Sequence, residues 1–447
     1  MPPREPFVRD VTIERIVPGG EGLGHVDGIV ALVRGAYPGD RVTASLHAES
    51  PRLCRGRAVE VLAAGPHARP PGEVCPLAAD GSCGGCDWPG ARAGSAGALK
   101  TELVLDALRR IGGLAASDVP PPTFVPSPPN YRLRNRLHRG ADGRLGFFAP
   151  RSNRVAADLA SCQIVSESLL ERLPAIRDSF RRLGSAEGEL ATLEDRSGSL
   201  LLGELRLSAP AGRSVPSGFS RGPFDGLRLL DLDGRALFED GPSSLDLETA
   251  LGTFRVSVSS FFQGNRFLLD AFLDEIRFAL GAVPRASGTA GPFRALDLYA
   301  GVGFLTLPLL EAAAVRDGVV VAVEVDASSS NDLSANLRRW SGGGLPEARL
   351  VVSTAEAFLA GRGDPDGSVD FDVVVADPPR AGLSPAVRRG LLRSRPPVLV
   401  MVSCDPPTLG RDLAALRGSY RLDRLTLLDL FPGTHHVEAV ALLVART

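Results

Sequence analysis

Apolar and polar residues alternate in short runs along the first part of the chain. Residues 8–64 divide into VTIERIV, IVALVRG, RVTASLHA and RGRAVEVLA, separated by the turn-forming stretches PGGEGLGHVDG and YPGD. Period-two runs broken by glycine and proline predict strands joined by tight turns, here a small β-barrel of the oligonucleotide-binding type. A proline-rich linker at 65–72 closes this region. GALKTELVLDALRRIGG has apolar residues at helical spacing and predicts a helix at 97–113. PPPTFVPSPPN at 120–130 marks another boundary. Beyond it, to about residue 255, the pattern is β-rich, with hairpin signals at ADGR and DLDGRA and a helical stretch, SESLLERLPAIRDSFRRLG.

The last third alternates strands with helical stretches, which implies an α/β fold on a parallel sheet. Seven strands are expected at 293–299, 319–325, 348–353, 372–376, 397–403, 420–431 and 437–445. The final two lie a short loop apart and are expected to pair antiparallel.

Composition narrows the classes. At 447 residues, 44% hydrophobic and 23% charged, the chain has material for two or three folded domains. Its longest apolar runs, such as VVVAVEV, are too short to span a bilayer, and MPPREPFVRD lacks an apolar signal core, so the expected location is cytoplasmic. In that reducing setting Cys75, Cys83 and Cys86, clustered in CPLAADGSCGGC, point to metal binding or catalysis rather than disulfides. A net charge of −2 leaves nucleic-acid binding to local patches. One such patch runs from Tyr131 to Arg154, where seven arginines face a single acid, Asp142. In YRLRNRLHRG a strand would aim Arg132, Arg134 and Arg136 at one face, suited to phosphates. Arginine is also this chain's habitual cation, since Lys100 is its only lysine.

Chemistry in open α/β sheets sits at the carboxyl ends of the strands. DLYAGVGF ends the first strand of the sheet with Gly301 and Gly303, which let backbone approach a ligand at a helix start. Glu324 closes the second, where an acid can hold ribose hydroxyls. Asp377 follows the fourth and opens DPPRAGL, and Cys404 follows the fifth in VSCDPPTLGRD. A helix starting after Cys404 would favour its thiolate through free amides. An antiparallel final strand would begin on this same rim, placing Glu438 across the pocket from Cys404.

CGGC, YRLRNR, FFQGN at 261–265, DLYAGVG, DPPRAG, SCDPPTLGRD and FPGTHHVE together resemble the RNA 5-methyluridine methyltransferase family over nearly the whole chain. GLGHVDG and YPGDRV in the first region resemble a TRAM domain, an RNA-binding module. The resemblance implies a class I methyltransferase sheet whose last strand is antiparallel, an N-terminal TRAM β-barrel at 8–64, and an inserted central domain. That central domain would take residues 65–92 and 127–255, leaving 93–126 and 256–447 to the methyltransferase domain. It further implies S-adenosylmethionine as cofactor, with Gln263, Tyr299, Gly301, Glu324 and Asp377 around it, Cys404 as nucleophile and Glu438 as base. Four thiolates without histidine suit either zinc or iron and sulfide. In the cluster-containing branch of the family, Cys75, Cys83, Cys86 and Cys162 would hold a [4Fe-4S] cluster. The implied partner is RNA: 23S ribosomal RNA from the domain content, with transfer RNA as the alternative. A non-catalytic RNA-binding protein on the same scaffold is the other reading, but it would lack Cys404 or Glu438. Three features depart from the family: the seven residues between Cys75 and Cys83, Thr354 where an acid or amide often stands, and Phe304 at a position that is polar in some relatives.

Overall fold

Val373–Ala376 and Val398–Ser403 are buried along their whole length, as strands covered on both faces must be. They lie mid-sheet in a computed structural model that describes residues 6–70, 73–156, 159–208, 215–283, 292–361 and 370–446. Strand order in the sheet is Ala348–Val352, Val319–Glu324, Arg294–Leu298, Val373–Ala376, Val398–Ser403, Glu438–Ala445, Tyr420–Leu428 and Thr123–Val125. Only Glu438–Ala445 runs against the others. The sheet therefore has eight strands rather than the expected seven. The addition, Thr123–Val125, pairs in parallel with Thr426–Leu428. Three residues bracketed by prolines are too short to present a period.

Alternate strand residues feed two layers. Val373, Val375, Val398 and Val400 join Phe272, Leu309 and Trp340 on one side, while Val374, Leu399 and Met401 join Leu391, Leu409 and Leu413 on the other. The helix Ala96–Arg110 packs on this second side through Val104 and Leu108. It lies so close to the helix Pro406–Leu416 that a Cβ at Gly410 would sit 2.9 Å from the Ala107 carbonyl oxygen.

Residues 134–240 contribute a second six-stranded sheet, in the order Ala236–Asp240, Gly226–Leu230, Leu201–Leu207, Gly188–Glu194, Arg134–Arg139 and Leu145–Gly146. The hairpin Ser244–Glu248/Thr253–Ser257 stands apart from it. Phe254 packs on Phe262, Phe304 and Trp340, and Trp340 Nε1 donates to the Thr253 carbonyl at 3.1 Å. The hairpin thus packs into the core of the eight-stranded sheet, whereas the sequence pattern assigns residues up to 255 to the central domain. Alternation identifies a half-buried hairpin but not the surface it will cover.

The N-terminal region forms a third six-stranded sheet, Phe7–Thr12, Arg41–Ser50, Leu53–Ala63, Ile29–Arg34, Gly22–Val26 and Arg15–Ile16 in order. It curls until Phe7–Thr12 meets Gly22–Val26. The Glu14 amide donates to the Leu23 carbonyl at 2.8 Å, and a Cβ on Gly24 would lie 2.3 Å from the Thr12 oxygen. Among the described residues no helix is long and apolar enough to cross a membrane.

Phe304 is 5% exposed and packs against Phe254, Phe262 and Phe272. Its position is one of core packing. Phe304→Ala is expected to cost about 3–5 kcal/mol of stability, read as a lower urea midpoint with an unchanged slope.

Candidate active site

Antiparallel pairing sets the geometry at the strand ends. Val398–Ser403 and Glu438–Ala445 pair with Ser403 opposite Ala439, so Cys404 stands beside Glu438. Cys404 is half-buried, and burial above all, with Glu438, Asp377 and Asp405 adding to it, pushes its thiol up to about 12, while Arg380 pulls it down. The helix Pro406–Leu416 does not supply the free amides expected from the sequence. Pro406 and Pro407 have no N–H, and the Thr408 amide donates to the Asp405 carboxylate at 2.9 Å. The helix start is consumed by its own cap, so the resting site favours the thiol.

Glu438 is 5% exposed, and its Oε1 has no hydrogen-bond partner. Burial first, then Asp377, raises its carboxyl well above the usual range, against the pull of Arg380. Burial also lifts Asp377 to about 7, and Gln263 Nε2 donates to its Oδ2 at 3.4 Å. Arg380 Nη2 lies 3.3 Å from His436 Nε2. Burial and the neighbouring cations drive His436 down to about 3, so its imidazole is neutral and Nε2 can accept from the guanidinium.

Along the same rim, Glu324 is held by three amides. Its Oε2 accepts from Gly301 at 2.8 Å, and its Oε1 accepts from Val325 at 2.8 Å and Asp326 at 2.7 Å. Tyr299 adopts φ +65°, a conformation that costs a non-glycine residue energy and clusters at ligand sites. The two glycines of DLYAGVGF serve different ends. At Gly303, φ +95°, a Cβ would strike Leu333 Cδ1 at 2.7 Å, so the residue serves packing. At Gly301, φ +57°, a Cβ would meet open space, which leaves backbone accessible to a ligand. Thr354 caps the helix Ala355–Leu359, accepting from the Ala357 amide at 3.2 Å.

Asp297 was missed in the sequence. Its Oδ2 accepts from Thr306 Oγ1 at 2.5 Å, its Oδ1 is buried without a partner, and burial raises it to about 7. The signal was an acid inside an otherwise apolar strand, one residue from its end.

Cys83, Cys86 and Cys162 pack against one hydrophobic cluster of the central sheet. Burial raises all three thiols, Cys86 to about 12, and Cys75 acts electrostatically on each. Cys54 lies apart in the N-terminal sheet, donating to the Val30 carbonyl. Groups of three possible ligand atoms within 4.8 Å of one another include Asp87, His435 and His436 but no trio of these sulfurs. The Asp87 group is engaged by cations: Arg34 lies 3.8 Å from Asp87 and Arg380 Nη2 lies 3.3 Å from His436 Nε2. Two guanidinium groups there oppose a metal cation.

The arginine strand divides its charges. Arg132 lies over the rings of Tyr131 and Phe147, and Arg136 is exposed beside Glu189 at 3.3 Å. Arg134 turns inward and donates to the carbonyls of Ser260 and Val258. It is expected on an RNA-facing surface, but here its guanidinium is spent on the two carbonyls just before FFQGN.

A family model described as tRNA (Uracil-5-)-methyltransferase matches residues 254–446. A protein of Corynebacterium efficiens described as an RNA methyltransferase is 32% identical over 441 residues, spanning 98% of this chain and 94% of that one. Another, from Streptomyces coelicolor, is 30% identical over 453 residues, spanning 97% and 92%. The fold matches the crystal structure of a Pyrococcus abyssi tRNA (uracil-54, C5)-methyltransferase in complex with S-adenosyl-L-homocysteine, with a TM-score of 0.71 over 97% of this chain and all of that one, at 21% identity.

Arg380 pulls the Cys404 thiol down. Arg380→Gln is expected to slow alkylation of Cys404 by iodoacetamide at pH 8 roughly three-fold, because less thiolate is present at that pH. The rate is read by peptide mass spectrometry.

Proposed function

The chain belongs to the RNA (uracil-5-)-methyltransferase family, and on that premise we propose that it methylates carbon 5 of a uridine through a covalent adduct of Cys404 at carbon 6. The enzyme depends on S-adenosylmethionine, which when bound supplies an electrophilic methyl group and a positive charge. The observation that carries the mechanism is the pairing of Ser403 with Ala439, which sets a thiol beside an unpartnered buried carboxyl.

Carbon 5 of uracil is a weak nucleophile. Addition of the Cys404 sulfur to carbon 6, as the thiolate left when the thiol proton passes to solvent, pushes an electron pair through the ring to the carbonyl oxygen at carbon 4, making an enolate nucleophilic at carbon 5. Carbon 5 then takes the methyl group, whose bond to the sulfonium sulfur breaks to leave neutral S-adenosylhomocysteine. Glu438 removes the proton from carbon 5, the C5=C6 double bond reforms, and the bond from Cys404 to carbon 6 breaks to return the thiolate. Glu438 can do this only when ionised. A cation entering a pocket already lined by Asp377 and Glu438 favours their ionised forms, so cofactor binding would arm the base.

Gln263, Tyr299, Gly301, Glu324 and Asp377 are the proposed cofactor contacts. Open space at Gly301 and the strained backbone of Tyr299 support this. The N-terminal sheet, read as a TRAM barrel, together with Arg132 and Arg136, is the proposed RNA surface. The target base would leave its stack to reach Cys404, at least cost in a loop or single strand.

Cys75, Cys83, Cys86 and Cys162 are the proposed ligands of a [4Fe-4S] cluster. The donor set fits it. One tetrahedral zinc, about 2.3 Å from each thiolate, needs sulfurs within about 4 Å of one another. A cubane gives each sulfur its own iron and does not require that contact. The cluster would hold the cysteine loop against the central sheet.

We take 23S ribosomal RNA as the substrate from domain content. A transfer RNA uridine is the second reading, favoured by the likeness over 97% of the chain to an enzyme described as acting on uracil-54 of tRNA.

Anaerobically purified protein given labelled S-adenosylmethionine and unmodified RNAs is expected to yield 5-methyluridine in 23S RNA, and none with Cys404→Ala. Label in tRNA alone would replace the substrate assignment. A different methylated nucleoside formed by Cys404→Ala would overturn the nucleophile. Cys162→Ser is expected to purify without iron and acid-labile sulfide, whereas zinc in the parent protein would overturn the cluster.

A further inference from the structure

The chain has fifty basic residues and a single lysine, Lys100. That lysine is fully buried on the helix Ala96–Arg110, and its side chain enters the loop between Tyr420–Leu428 and Glu438–Ala445. Its ammonium has three acceptors: Asp429 Oδ1 at 2.5 Å, the Phe431 carbonyl at 3.1 Å and the His436 carbonyl at 2.6 Å. Three donors meet three acceptors on one atom. A planar guanidinium spreads five N–H groups over a rigid fork and cannot converge on such a point. An arginine-rich chain that keeps a lysine only here is using ammonium geometry.

The three acceptors come from one short loop, and its far end is Glu438. The same loop meets the cysteine segment, with the Trp88 amide donating to the Gly433 carbonyl at 3.0 Å and His435 Nδ1 lying 2.8 Å from Asp87 Oδ2. Glu438 Oε1 has no partner of its own. Sheet pairing fixes its strand, and because Glu438 is the register partner of Leu428 the loop that Lys100 gathers closes directly on it.

We propose that Lys100 is the positioning residue for Glu438, gathering Asp429, Phe431 and His436 so that the carboxyl meets the proton on carbon 5. The proposal rests on the reading of Glu438 as the base. It assigns Lys100 a role in one step only: proton removal and release of Cys404, after the sulfur has added and the methyl group has been transferred. Loss of positioning should therefore stall the enzyme as a methylated RNA adduct, whereas general destabilisation would lower every step together.

The test compares Lys100→Met, Lys100→Met/Asp429→Asn and Glu438→Gln in the full chain with RNA and labelled S-adenosylmethionine. The double variant removes the buried carboxylate charge that Lys100→Met alone would strand, which preserves the fold. Turnover and denaturant-resistant RNA–protein adduct are read separately. The double variant is expected to lose about 100-fold in turnover, to keep its KM for S-adenosylmethionine within about two-fold, and to accumulate methylated adduct as Glu438→Gln does. Normal turnover, or loss of turnover with a matching loss of adduct, would overturn the proposal. If Glu438→Gln itself accumulates no adduct, the base reading falls and the role of Lys100 falls with it.

Discussion

Ser403 pairs with Ala439 because Glu438–Ala445 is inserted antiparallel between two strands running the other way. In a parallel sheet each strand brings only its carboxyl end to the functional rim. The inserted strand brings its beginning there, so a residue from the chain's far end meets the end of Val398–Ser403. Burial on both faces fixes the register, since a slip of one residue would exchange the residues facing the two layers. The proximity of Cys404 and Glu438 is thus paid for by the hydrophobic packing of the sheet rather than by any bond between them.

Burial then governs the chemistry. Asp297 and Asp377 are raised to about 7 and Cys404 to about 12, each chiefly by loss of water. Prolines and the Asp405 cap leave no helix amides to offset that bias at the sulfur. Acids that burial biases towards their neutral forms can respond to charge brought by a ligand. The loop from Asp429 to Val437 links this pocket to the rest of the protein, tied to the helix Ala96–Arg110 by Lys100 and to the cysteine segment by Trp88.

Much of this was legible in the sequence because it is periodic or local. Strand and helix alternation predicted the C-terminal sheet, and placing Cys404 and Glu438 on one rim followed from the direction of the last strand. Features that depend on distant partners were not legible. Thr123–Val125 adds to the sheet through an edge formed by residues three hundred positions away. The hairpin at 244–257 alternates as a strand pair of either domain would, and only Trp340 and Phe304 decide its side. Arg134 reads like its neighbours Arg132 and Arg136 until the carbonyls of Val258 and Ser260 come within reach. Lys100 stands out as the only lysine, but its meaning lies in three acceptors more than three hundred residues further on.

The central claim is that Cys404 bonds to carbon 6 of the target uracil while Glu438 removes the proton from carbon 5. An RNA carrying 5-fluorouridine tests it directly, because fluorine at carbon 5 cannot be abstracted as a proton and the adduct cannot resolve. Digestion after incubation with S-adenosylmethionine, followed by peptide mass spectrometry, is expected to find the methylated fluorouridine on the peptide containing Cys404. An adduct on another cysteine, or methyl transfer without any adduct, would contradict the account.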